Sequence, residues 1–103
     1  MSFKITSHSG FHMIFENGWT ASVQFGPGNY CSNHYNWNFD EPKTKNMWES
    51  YDAEVAAWPK DGKMVELQNG NTVGGWVSAD NVLLFLNWVA GEDHSSPPQN
   101  LRE

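Results

Sequence analysis

Apolar and polar residues alternate over two stretches near the start of the chain, which is the pattern of half-buried β-strands. The apolar positions are Phe11, Met13, Phe15, Trp19, Ala21, Val23 and Phe25. A two-residue Asn17-Gly18 turn would place apolar residues opposite polar ones. A three-residue loop with Gly18 left-handed instead places Phe15 opposite Trp19. The same register pairs Met13 with Ala21 and Phe11 with Val23, so the sequence predicts a hairpin with one wholly apolar face.

A second hairpin is predicted around the turn sequence Pro59-Lys60-Asp61-Gly62. With residues 60–62 as the loop, Ala57 lies opposite Val65 and Val55 lies opposite Leu67. Both hairpins then use a three-residue loop that ends in glycine.

A helix is predicted from Ala79 to Ala90, between the N-cap residue Ser78 and the C-cap residue Gly91. Its sheet-facing stripe consists of Val82, Phe85, Leu86 and Val89. Leu84 and Trp88 project from the opposite side, and an exposed apolar stripe of this kind favours self-association. We therefore expect a homo-oligomer that uses Leu84 and Trp88 on this helix face, or an edge strand.

These elements together predict an α+β fold, in which two β-hairpins form an antiparallel sheet of about four strands (ββββα) covered by one C-terminal helix. Residues 1–91 are expected to form a single compact domain, and the polar, proline-containing residues 92–103 a flexible tail. Residues 26–50 connect the hairpins and are much longer than an ordinary hairpin loop. This aromatic segment either contacts a ligand or folds back as a lid over the small core.

The composition narrows the classes of partner. The chain of 103 residues has 12 acidic and six scattered basic side chains, giving a formal charge of −6, so nucleic acid is not an expected partner. The charge favours a partner with a basic surface. The single cysteine excludes an intrachain disulfide. No apolar run is long enough for a membrane span and no signal peptide is recognised, so we expect no membrane partner and a cytoplasmic location.

Two pairs of residues are candidates for catalysis. Cys31 and His34 suggest an activated thiolate, whereas Asp52 and Glu54, on one strand face, suggest acid–base hydrolysis. A buried cysteine and a solvated strand face explain these residues without chemistry. We therefore predict no catalytic residues and keep a small hydrolase as the alternative. Four residues carry atoms that could ligate a metal, but they lack the paired spacing of known metal motifs: Cys31, His34, His12 and Asp40. Neither a metal nor another cofactor is therefore expected.

The stretch FGPGNYCSNH, residues 25–34, leads out of the second predicted strand. Pro27 and Gly28 fit the central positions of a type II turn, and the amides after such a turn either bind an anion or simply end the strand. The stretch lacks the lysine and hydroxyl of a P-loop and the GxGxxG of a dinucleotide fold. The residues predicted to bind a ligand or partner are His12, Gln24, Gly26, Gly28, Asn29, Tyr30, His34, Trp37, Lys43 and Lys45.

Three runs, NGWTASVQFGPGNYCSN, DAEVAAW and VGGWVSADNVLLFL, resemble small uncharacterised proteins encoded by bacteriophages and prophages. This resemblance implies a phage context without an activity. In that context an acidic, tryptophan-rich chain without a catalytic motif is expected to inhibit host antiviral defence in the bacterial cytoplasm. It would do so by stoichiometric binding of a host defence protein or of its small nucleotide signal. A structural or assembly module is the remaining alternative.

Overall fold

Five strands and one helix form the described part of the computed structural model, which covers residues 1–6, 9–32, 34, 49–68, 70–99 and 101. They are β1 (Ser2–Thr6), β2 (Gly10–Ile14), β3 (Thr20–Gln24), β4 (Asp52–Trp58), β5 (Gly74–Ser78) and α1 (Ala79–Ala90). The strands form one antiparallel sheet in the order β1-β2-β3-β4-β5. The α+β class and the C-terminal helix are confirmed, with five strands rather than four. Among these residues, no helix has the length and apolar character needed to cross a membrane.

The first predicted hairpin is confirmed in its register. β2 pairs with β3 so that Phe11 lies opposite Val23 and Met13 lies opposite Ala21. The Phe15 N–H donates to the Trp19 carbonyl at 2.9 Å, and Gly18 has a φ of 89°, as the three-residue loop requires. Apolar periodicity and turn chemistry favour the same pairing here, so local sequence is enough to determine it.

The second predicted hairpin is wrong in its strand partner. β4 pairs with β5, which places Val55 opposite Gly74 rather than Leu67. The Val65 N–H still donates to the Ala57 carbonyl at 3.0 Å, but the chain around Val65 forms no strand. A Cβ at Gly74 would lie 3.1 Å from Val55 Cγ2, so glycine lets β5 lie close against β4.

The helix α1 begins and ends at the predicted residues. The Ser78 hydroxyl oxygen accepts the Asn81 N–H at 3.3 Å, and the Gly91 N–H donates to carbonyls of the last turn. α1 packs on β3, β4 and β5, and its inner residues Phe85 and Val89 are buried. The rest of the buried core consists of Ala21, Val23, Ala53, Val55, Ala57, Leu67, Val77 and Leu101.

Trp88 lies in an aromatic cluster within the chain rather than on an exposed stripe. Its ring makes edge contacts with Trp19, at 5.9 Å between centroids, and with His94, at 5.2 Å. The expectation that Trp88 projects from the free side of α1 is therefore wrong, because Trp19 and the chain after α1 both pack against it. Leu84 is 52% exposed, and an oligomer interface there remains a prediction.

The chain after α1 returns to the core, which differs from the flexible tail predicted for residues 92–103. His94 stacks on Trp19 with 3.9 Å between ring centroids, and its Nε2–H donates to the Val89 carbonyl at 3.0 Å. Leu101 is 1% exposed and belongs to the hydrophobic core. The C-terminal segment therefore contributes to the packing of the domain.

Candidate functional site

The glycine loop, which we define as residues 26–32 and 34, begins with the turn that its sequence predicts. The Asn29 N–H donates to the Gly26 carbonyl at 3.3 Å, and Gly28 has a φ of 87°. These are the features of a type II turn with Pro27 at its first central position. The Gly26 N–H donates to the Ser9 carbonyl at 3.0 Å, which ties the loop to the start of β2.

The backbone amides of the glycine loop already have acceptors within the chain. The Tyr30 N–H donates to Glu54 Oε2 at 3.0 Å, and the Ser32 N–H donates to Asp52 Oδ1 at 2.5 Å. The Ser32 hydroxyl also donates to Asp52 Oδ2 at 2.8 Å. Every other amide of the loop donates to a backbone carbonyl; these are the amides of residues 26, 28, 29, 31 and 34. Two carboxylates of β4 thus occupy the positions where an anion would bind.

The same hydrogen bonds give Asp52 and Glu54 a structural role that does not require hydrolytic activity. The two acids alternate with Ala53 along β4 and therefore share the outer face of the sheet, away from α1. A general acid or base must reach a proton of its substrate. Both oxygens of Asp52 instead accept hydrogens from Ser32, so these acids position the glycine loop.

Three aromatic rings, which we call the ring stack, lie nearly parallel at the glycine loop. The Tyr30 ring lies 5.7 Å from the Trp76 ring, at 21°, and 6.2 Å from the His34 ring, at 13°. Tyr30 is 49% exposed and Trp76 is 45% exposed. Exposed rings supply a large contact area at little loss of side-chain freedom, so they are typical anchors of binding surfaces.

Hydrogen bonds to two backbone carbonyls hold the ring stack in place. The Trp76 N–H donates to the Tyr30 carbonyl at 2.8 Å, which joins the glycine loop to β5. The His34 Nδ1–H donates to the Asn29 carbonyl at 2.7 Å. Trp76 has a φ of 50°, and among the described residues it alone combines a side chain with a positive φ. Backbone strain of this kind concentrates at functional sites, which supports a role for Trp76 beyond packing.

Cys31 belongs to the glycine loop. Its side chain is buried, and its Sγ–H donates to the Gly26 carbonyl at 3.7 Å. A nucleophilic thiol needs access to its substrate, so this burial indicates a packing role. Within the described ranges, no three His, Cys, Asp or Glu side chains are grouped so as to hold a metal ion.

His12 and Gln24 lie on the outer face of the sheet and contact their own strand neighbours. His12 lies between Lys4 and Ser22 in the strand register, and its ring packs edge-on against Trp58 at 5.2 Å between centroids. Burial and, to a smaller extent, the charge of Lys4 lower the pKa of His12 below its usual value. The Gln24 Nε2–H donates to the Ser22 hydroxyl at 3.1 Å.

The predicted site is brought together in part. The glycine loop unites Tyr30 and His34 with the other predicted loop residues, Gly26, Gly28 and Asn29. Trp37, Lys43 and Lys45 lie outside the described residues. Trp76 is not among the residues predicted from the sequence. The only sequence pattern that marks it is its alternation with Val77, which is buried in the structure, after a pair of glycines.

A cavity of about 430 Å³ lies near the first residues of β4 and of α1. Its apolar lining comes from Phe11, Val23, Phe25, Val77 and Val82, and its lining also includes Glu49 and Asp52. Among the described residues, no basic side chain lines it.

Comparison of the chain with known protein families, with curated proteins and with solved structures finds no match. The features that bear on function are therefore the ring stack, the glycine loop and the charges around them.

Proposed function

We propose that this protein is a non-catalytic inhibitor of host antiviral defence, of the kind that bacteriophages encode, and that it binds its target stoichiometrically in the bacterial cytoplasm. The ring stack is the observation that carries the proposal. Tyr30 and Trp76 present exposed rings whose backbones are joined by a hydrogen bond, so the anchors of a binding surface are already formed. The resemblance to phage and prophage proteins supplies the context of host defence.

The charges at the ring stack favour a protein target with a basic surface. The chain carries a formal charge of −6, and the carboxylates of Asp52 and Glu54 lie against the glycine loop. Complementary charge accelerates association and disfavours partners of the wrong sign. An acidic surface with exposed aromatic anchors therefore suits a basic protein.

A small nucleotide signal is the second candidate ligand, and the ring stack favours it because a nucleobase stacks well on an aromatic ring. The phosphates of a nucleotide need donors or cations. Every described amide of the glycine loop already has an acceptor, and two of these acceptors are the carboxylates of Asp52 and Glu54. The protein target is therefore preferred.

Phage plating tests this proposal. Bacterial strains that each carry one defence system are infected with and without the protein, and we expect the protein to raise plating efficiency in at least one strain. Trp76→Ala should abolish the rescue, whereas Tyr51→Ala should keep it, since Tyr51 is 91% exposed and lies outside the ring stack. Equal rescue by the wild type and Trp76→Ala would refute the binding surface. Absence of rescue in every strain would refute the inhibitor role.

A titration of the protein against the defence system that it inhibits separates stoichiometric binding from hydrolysis. A stoichiometric inhibitor reaches full effect near one equivalent of target, whereas a hydrolase acts at far lower amounts. Cys31→Ser should keep full activity, because the thiol is buried and its Sγ–H donates to the Gly26 carbonyl. Full effect at a small fraction of one equivalent, or loss of activity in a folded Cys31→Ser variant, would favour the hydrolase.

The homo-oligomer is part of the proposal, with Leu84 on the free side of α1 as its contact. The neighbouring Leu83 is exposed as well, so this side of α1 offers apolar area to a second copy. Sedimentation at high micromolar concentration should show an oligomer that Leu84→Glu dissociates. A wild-type monomer under these conditions would contradict it.

A further inference from the structure

One carboxylate oxygen at the ring stack has an unused hydrogen-bonding capacity. Glu54 accepts the Tyr30 N–H through Oε2, and within the described part of the chain its Oε1 accepts no hydrogen bond. Asp52 differs, because both of its oxygens accept hydrogens from Ser32. Lys60 lies at the opposite end of β4, beside Gly18, and does not neutralise Glu54. The ring stack therefore adjoins a carboxylate that can accept a further donor.

We propose, on the basis of the function proposed above, that the partner presents an arginine whose guanidinium lies against the exposed Trp76 ring and donates to Glu54. A guanidinium is planar and more weakly hydrated than an ammonium, so its face stacks on an aromatic ring. Its N–H groups lie in the same plane and match the geometry of a carboxylate. A lysine ammonium is a strongly hydrated point charge and cannot use the ring in the same way.

The arrangement is rigid before the partner arrives. Tyr30 is held on both sides of its backbone, since its N–H binds Glu54 and its carbonyl binds the Trp76 N–H at 2.8 Å. A positive φ at Trp76 orients a ring that an ordinary strand conformation would place elsewhere. Groups that are already ordered lose little conformational freedom when a ligand binds, so this geometry favours affinity for arginine.

Isothermal titration calorimetry tests the inference with three probes: a peptide of alternating arginine and glycine, a copy with lysine for arginine, and adenosine monophosphate. We expect the arginine peptide to bind at least about fivefold more tightly than the lysine copy. Trp76→Ala should remove this preference, and Trp76→Phe, which keeps a ring, should retain most of it. Glu54→Gln should weaken binding of the arginine peptide about tenfold. The amide oxygen of the substituted side chain can still accept the Tyr30 N–H. Tyr51→Ala is the control and should match the wild type.

The outcomes separate this inference from the proposed function. Equal affinity for the two peptides, or a preference that survives Trp76→Ala, overturns the arginine assignment. Binding of adenosine monophosphate that disappears in Trp76→Ala also overturns it, because the ring stack then accepts a nucleotide. In each of these cases the proposed function stands if Trp76→Ala still abolishes rescue in the plating assay, and it fails if rescue is unchanged.

Discussion

Replacement of Leu101 by alanine tests whether the chain after α1 belongs to the core. Leu101 is 1% exposed, and a Cβ on the neighbouring Gly74 would lie only 3.2 Å from the Leu101 Cβ. The side chain therefore fills space between the C-terminal segment and β5. Gln68 Nε2 donates hydrogen bonds to the carbonyls of Pro98 and Gln99, which hold the chain just before Leu101.

The expected loss follows from the atoms that the substitution removes. Leucine to alanine deletes three buried carbons, and at about 0.8 kcal/mol for each buried CH₂ their transfer accounts for about 2.4 kcal/mol. The cavity left behind adds to this, and measured Leu→Ala losses in cores lie at about 2–5 kcal/mol. We therefore expect the free energy of unfolding to fall by about 3 kcal/mol, a large part of the stability of a small domain.

Urea denaturation followed by circular dichroism measures the loss, and Leu84→Ala provides the matched control. Leu84 is 52% exposed, so the same chemical change there should alter the free energy of unfolding by no more than about 0.5 kcal/mol. The measurement is made at low micromolar concentration so that association does not contribute. If the two variants were equally stable, Leu101 would not be a core residue, and the segment after α1 would be the flexible tail that its composition predicts.

Three further predictions concern the sheet and the glycine loop. Gly10→Ala should destabilise the fold by more than about 2 kcal/mol in urea denaturation, because its Cβ would lie 2.0 Å from the Val23 carbonyl oxygen; wild-type stability would contradict this close approach. Asp52→Asn should speed amide hydrogen exchange at Ser32 about tenfold, and unchanged exchange would mean that the carboxylate does not hold the loop. Because the pKa of His12 is lowered in the folded chain, its contribution to stability is complete above the ordinary value of 6.5 and is lost as the pH falls through the lower folded value. His12→Gln should therefore flatten the acid side of the stability profile, and an identical profile would refute this assignment.

Local chemistry made α1 and the β2–β3 hairpin predictable from the sequence. Ser78 and Gly91 have the capping roles that their side chains favour, and they mark both ends of the helix correctly. In the hairpin, one loop length alone agrees with the apolar alternation, so the register had a single solution. Both features depend on residues that are close together in sequence.

The edge strand β5 and the C-terminal segment depend on distant contacts instead. β5 begins with Gly74 and Gly75, which have low strand propensity, yet the missing side chain at Gly74 allows close packing on Val55 and Leu101. Leu101 itself is one apolar residue among polar neighbours, so no periodicity marks it as buried. The other edge strand, β1, is a different case. Its apolar residues Phe3 and Ile5 alternate with Lys4, but both are exposed and add little to the core.

The candidate site was half predictable for the same reason. Tyr30 and His34 lie in one aromatic, glycine-containing stretch and were recognised together. Their third ring, Trp76, is brought in by the pairing of β4 with β5, which the sequence does not signal. The acceptors of the loop amides are also distant, since Glu54 lies 24 positions after Tyr30 and Asp52 lies 20 positions after Ser32.

The sequence suggests two separate chemistries, an anion-binding turn in the glycine loop and a catalytic pair of acids. In the fold, the two acids accept the loop amides, so each group satisfies the other. A phosphate ligand would have to displace Asp52 and Glu54 from the amides of Ser32 and Tyr30 and would then lie beside two unpaired negative charges. A cationic side chain meets the same carboxylates and the Trp76 ring without breaking any of these bonds. The preference for a cationic partner that we propose therefore follows from where β4 places two carboxylates, and a neutral chain with the same local arrangement would share it.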